Sequence, residues 1–192
     1  MATANQNGDG NVLKGLAVGL VSGLFASWTM NQFQAAWSRL AEGFEKSHGA
    51  QSMQPSDGPN PDQTPDHNKQ QQEQQDDATV KAAKAISEGV FGHPLKEDEK
   101  EIGGAVVHYA FGAATGGLYG ALAEVAPSVT MGAGLPFGVA FWAIADETAV
   151  PLLGLSKGPT EYPLSIHAYA LASHLVYGVT AEVTRRTLRS VM

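Results

Sequence analysis

The chain has 192 residues, a net charge of −7 and no cysteine. The length suits one domain. The acidic balance argues against nucleic-acid binding, which needs a basic surface. Without cysteine there are no disulfides, zinc-thiolate sites, iron–sulfur clusters or cysteine nucleophiles.

Mean hydropathy is near neutral, but the polarity is concentrated between about residues 42 and 101. Elsewhere formal charges are few. Residues 1–11, rich in Asn, Gly and Ala, read as a disordered N-terminus, with Asn11 available as a helix cap. They lack the basic region and cleavage pattern of a signal peptide, so the first apolar segment reads as a retained helix.

Residues 15–38 run 24 positions without a charge. They predict a first transmembrane helix from about residue 12, with an amphipathic extension to 46. Gly15, Gly19 and Gly23 recur every fourth residue and so share one helix face. Trp28 and Trp37 come late, where interfacial aromatics belong. Asn31, with Gln32 and Gln34, suggests that the helix emerges into a wet or protein-lined region.

Residues 47–77 are a polar, Pro- and Gln-rich loop without aromatic or β-branched aliphatic residues. Such a stretch cannot bury enough apolar surface to offset its ordering entropy. His48 and His67 within it read as solvated. Residues 78–92 predict a short amphipathic helix, ended by Gly92, His93 and Pro94.

The acids of LKEDEKE precede the next apolar stretch, where they suit a helix N-terminus. Residues 102–123 are uncharged for 22 positions and stop at Glu124, which meets the roughly 20 residues needed to cross a bilayer core. Gly112, Gly116 and Gly120 share a face, and a face without side chains lets another backbone approach. The third span, within about 129–155, can be drawn in two registers. Residues 125–145 end at Asp146–Glu147, whereas 134–155 place both acids inside the membrane. The fourth span, about 162–184, carries Gly178 as a further packing glycine.

The expected fold is therefore all-α: a four-helix transmembrane bundle with a long polar loop between helices 1 and 2, the last three spans lying in 95–192. A soluble bundle would show charged residues on its exposed helix faces, and these four stretches show none. The bilayer is the expected partner. Glycine faces could also bring other membrane subunits or a second copy together.

Up-and-down topology brings polar residues to one end. His108 and His167 each lie five or six residues into a span, roughly 8–9 Å below the same surface. Tyr109, Asn31, Asp146 and Glu147 fall near that layer. His174 lies about 10 Å deeper than His167. Ionisable groups inside a membrane are costly and therefore functional candidates. The layer can be read as a packing network, a pH switch or proton path, a divalent-metal site, or a haem site between His108 and His167. No cofactor is expected. Asp146 and Glu147 are adjacent, and on a helix their side chains would diverge by about 100°. At the other end, Glu124 and Glu182 are expected to form interfacial ion pairs near Arg185 and Arg186.

No nucleophile elbow, phosphate loop, dinucleotide fingerprint or metalloprotease helix is present. An enzyme is not expected, and a lipid-acting enzyme would lack a nucleophile. HYAFGAATGGLYG at 108–120, FWAIADE at 141–147 and HAYALASHLVYG at 167–178 resemble the YagU-like family of bacterial inner-membrane proteins, over about residues 10–45 and 100–190. The resemblance implies a small multi-pass inner-membrane protein with histidines in its spans, and no catalytic residues. The expected function is a non-catalytic accessory or a stress- or pH-related component. The alternative is a proton- or ion-conducting, or metal- or haem-binding, membrane protein.

Overall fold

The computed structural model describes residues 6–47 and 77–192, with side chains described over 11–40 and 77–192. Among these residues the chain is all-helical. Helix α1 spans Gln6–Ser47. It starts before Asn11, so the cap expected there is an interior residue. Once a helix is nucleated, each added residue gains a hydrogen bond, and the helix continues through the polar N-terminal residues. The polar loop, with His48 and His67, lies outside the described residues apart from its ends.

Helix α2 (Ala78–Ile86) is capped by Asp77, whose carboxylate accepts the Val80 N–H at 2.9 Å. A π-helical turn over Ser87–Phe91 follows and closes at Gly92 in the left-handed conformation. Helix α3 (Glu97–Val125) has Glu97, Asp98 and Glu99 in its first turn, where the helix dipole favours them. Helix α2 lies on the start of α3, with Val80 and Ala83 against Gly104 and Gly103.

The third apolar stretch does not begin as a regular helix. A 3₁₀ segment over Pro127–Gly134 is broken at Met131–Ala133, and Gly134 has φ +84°. A Cβ at Gly134 would run into the Gly178 carbonyl. Both the backbone angle and the space therefore require glycine there. Helix α4 (Leu135–Ile144) then passes through a π-helical turn, Ala145–Ala149, into a last turn at Val150–Leu152. The helical part follows the later of the two expected registers, which puts Asp146 and Glu147 inside it. Pro151 has no N–H to offer the Glu147 carbonyl four residues earlier, which favours a widened turn at this point. Helix α5 spans Leu164–Ser190.

Helix α1 packs along both α3 and α5, and α4 packs on α5. The α1–α3 seam is antiparallel and built from glycines. Gly15, Gly19 and Gly23 lie against Gly120, Gly116 and Gly112, and a Cβ on any of the six would come within 3.0 Å of an opposing atom. Gly112 also makes room for Ser27. The α4–α5 seam repeats the arrangement: Gly134 and Gly138 lie against the backbone of Gly178 and His174. The glycine faces therefore cover one another within the chain. Helices α3 and α4 meet through aromatic rings, Phe111 with Phe141 and Tyr119 with Phe137.

The distribution of side chains is inverted relative to a water-soluble bundle. The core is small, centred on Ala26, Met30, Tyr177 and Ala181. Ser22, Ser27, Ser173, His174 and Glu182 are buried, while Leu20, Leu24, Phe25, Leu118, Leu122 and Ile144 are exposed. Two stretches, Asn11–Leu40 and Pro127–Leu152, are long and apolar enough to cross a membrane.

Candidate functional site: a polar cavity between the helices

A cavity of ≈ 880 Å³ lies between the helices. Its residues range from Asp77, Lys157 and Tyr162 at the loop end to Ser27, Gly112 and Tyr177. His108, His167, His174, Asp146, Glu147 and Asn31 all line it. One space therefore collects six of the seven polar-layer candidates. The seventh, Tyr109, joins through its hydroxyl, which accepts a hydrogen bond from Asn31 Nδ2 at 3.3 Å.

Helices α4 and α5 position the ionisable groups. His167 Nδ1 donates to Glu147 Oε1 at 2.6 Å, and Nε2 faces the Pro159 carbonyl at 2.9 Å. Both ring nitrogens thus point at acceptors. A neutral imidazole carries one N–H, so the protonated ring satisfies both contacts. Two helical turns deeper, His174 Nδ1 donates to the Ala170 carbonyl at 2.9 Å and lies 3.6 Å from Asp146 Oδ2. The Phe141 ring stands edge-on to His174. Adjacent acids thus meet histidines two turns apart, against the expected divergence. The π-helical turn is the reason, because it widens the helix and re-aims both side chains toward α5.

His108 contributes differently. Its Nε2 is buried without a hydrogen-bond partner, as is Ser27 Oγ. The ring stands edge-on to Tyr109. Among the described residues, no three His, Asp or Glu side chains are gathered closely enough to hold a metal ion.

Tyr177 lies at the inner end of the cavity. It is 1% exposed, and its hydroxyl donates to the Gly112 carbonyl at 2.6 Å, tying α5 to α3. A second polar group begins beyond it. Glu182 is fully buried. It accepts hydrogen bonds from Tyr119 at 2.8 Å, from Arg185 at 2.7 and 2.9 Å, and from Arg186 Nε. Arg186 also reaches the Thr130 carbonyl at 3.2 Å.

The ion pairing expected at this end is rearranged. Glu182 keeps Arg185 and Arg186 and is buried in the bundle. Glu124 instead takes Arg189, through two hydrogen bonds of 2.7 and 2.8 Å. Its carboxylate holds the Arg189 guanidinium above even its ordinary high pKa, so this cation stays charged. The physical cause is the parallel course of α3 and α5, whose contacts rise together from Gly112–Tyr177 through Tyr119–Glu182 and so set the end of α3 beside the last turn of α5.

Sequence reasoning singled out neither Tyr119 nor Tyr177. A signal was present, since each stands next to a packing glycine, Gly120 or Gly178. A bulky polar ring beside a glycine face has somewhere specific to go.

No curated protein and no solved structure is significantly similar to the chain. The family described as "Protein of unknown function (DUF1440)" matches residues 59–183. That match takes in the cavity-lining parts of α2, α3, α4 and α5, and it covers more than half of the chain: the protein belongs to the DUF1440 family.

Proposed function

We propose that the chain is a multi-pass membrane protein whose α1, α3, α4 and α5 all cross the bilayer, and that it serves as a non-catalytic, pH-responsive accessory component. The observation that carries the reading is the inverted distribution of side chains: large apolar residues point outward, while serines, histidines and acids point in. In water the outward face would be an aggregation liability. In lipid it is the required surface, and glycine seams are the usual way to pack such helices. Placement in a bacterial inner membrane is supported by the resemblance of residues 108–120, 141–147 and 167–178 to YagU-like proteins.

The pH response is assigned to the cavity. Charging His167 turns its contact with Glu147 into an ion pair between α4 and α5, with the Pro159 carbonyl, Tyr162 and Lys157 nearby. His174 faces Asp146 from the same helix pair. Imidazole titrates near pH 6.5, so acidification tightens this seam. The test is tryptophan fluorescence of the detergent-solubilised protein between pH 8 and pH 5. The proposal expects a transition that H167Q/H174Q flattens. An identical titration in that variant overturns the pH assignment.

A second reading, proton conduction, is favoured by one observation. The cavity runs inward past His167 to His174 and ends at Tyr177. Conduction would require the Tyr177–Gly112 contact to open. Proton flux into dye-loaded vesicles carrying the protein, raised in Y177F, would favour it. Flux no higher than in protein-free vesicles would remove it.

A further inference from the structure

We infer that the cavity is a binding site for a lipophilic organic cation, with the Asp146 carboxylate as its counter-charge and the Phe141 ring as part of its apolar wall. Asp146 lines the cavity, its side chain is 37% exposed, and it receives no hydrogen bond from any described residue. Its nearest cationic candidate, His174 Nδ1, stands 3.6 Å away and is already committed to the Ala170 carbonyl at 2.9 Å.

The other acids of the cavity are occupied. Glu147 accepts from His167, and Asp77 caps α2. The cations Lys81 and Lys157 also line the cavity, with Asp77 among their fellow lining residues. Among the acids lining the cavity, Asp146 is therefore the carboxylate with free acceptor capacity, on the π-helical turn that faces α5. A carboxylate charge that receives no hydrogen bond away from bulk water is costly until a closer cation meets it.

The surroundings select the kind of cation. Phe111, Phe141 and Tyr177 line the same cavity, with Phe111 and Phe141 rings 5.7 Å apart and Phe141 and Tyr177 rings 5.1 Å apart. Aromatic faces beside a carboxylate favour an organic cation over a hydrated metal ion. The volume is in the range of small-molecule sites, about 300–1,000 Å³. Helices α3 and α4 touch there through the Phe111 and Phe141 rings, and Phe111 is half-exposed. A ligand that partitions into lipid could reach the cavity by displacing those rings.

The inference uses the cavity invoked above, and rests on the membrane reading only in placing Asp146 away from bulk water. Its test depends neither on the number of spans nor on pH. The full chain in mild detergent is titrated at fixed pH with tetraphenylphosphonium, and separately with tetraphenylborate, which has the same shape and the opposite charge. The expected result is saturable one-site binding of the cation and none of the anion. D146N should weaken cation binding about tenfold or more, and D146E should retain it. Equal binding of both ions, or no saturable binding of the cation, overturns the proposal. So does undiminished binding by a folded D146N. If D146N fails to fold, the comparison of the two ions on the unaltered chain still decides.

Discussion

Glu147 and His167 meet at 2.6 Å across the α4–α5 seam, while the other nitrogen of the same ring faces the Pro159 carbonyl at 2.9 Å. The contact joins the π-helical turn of α4 to the first turns of α5 and to the loop between them. It favours a charged ring. The stabilisation is therefore complete below the ordinary imidazole pKa of about 6.5 and is lost as pH rises above it.

The first prediction follows from that sign. Relative to the unaltered chain, E147Q and H167Q should lower the thermal midpoint more at pH 5.5 than at pH 8. Melting curves in detergent at the two pH values check it. An equal loss at both would mean that the contact contributes through packing alone.

Glu182 is the most committed acid among the described residues, fully buried and held by Tyr119, Arg185 and Arg186. Removing one partner of a buried pair leaves the other charge uncompensated, which costs about 3–5 kcal/mol. E182A should therefore fail to yield a monodisperse protein in detergent, or melt far lower. Y119F removes one hydrogen bond to a charged group, an effect of about 1.5–3 kcal/mol. It should fold with a lowered midpoint. An E182A protein that melts like the unaltered chain would contradict the buried arrangement.

The α1–α3 seam predicts a sharp contrast between glycines. A Cβ at Gly19 would collide with the Gly116 backbone, whereas nothing lies within 4 Å of one at Gly89. G19A should destabilise on the order of 1–3 kcal/mol by overpacking. G89A should be neutral or slightly stabilising, since it reduces the freedom of the unfolded chain. Paired melting curves in one detergent decide whether the seam is as close as described.

The glycine spacing was legible in the sequence because a four-residue repeat needs only one helix to be seen. Which glycine meets which was not, since the antiparallel offset that sets Gly15 against Gly120 depends on how α1 and α3 slide together. The placement of His108, His167 and His174 on one space could be reasoned from span depth. The meetings of Asp146 with His174 and Glu147 with His167 could not, because they depend on a π-helical turn, and helical periodicity assumes its absence. The exchange of Glu124 from Arg185 and Arg186 to Arg189 has a similar origin. Long charged side chains choose partners by the offset of two helices, not by their order along one. The broken start of the third stretch was hidden as well, since Gly132 and Gly134 read equally as packing glycines and as left-handed turn residues.

The central claim is that all four long helices cross the membrane, and the absence of cysteine makes it directly measurable. Single cysteines at Ser52, Ser128, Ser156 and Ser190, expressed in sealed cells, would be challenged with a membrane-impermeant maleimide before and after permeabilisation. Four crossings predict that positions 52 and 156 react on one side and positions 128 and 190 on the other. If only the two most apolar stretches cross, 52 pairs with 128 and 156 with 190. That pairing, or equal labelling at all four positions, would contradict the account.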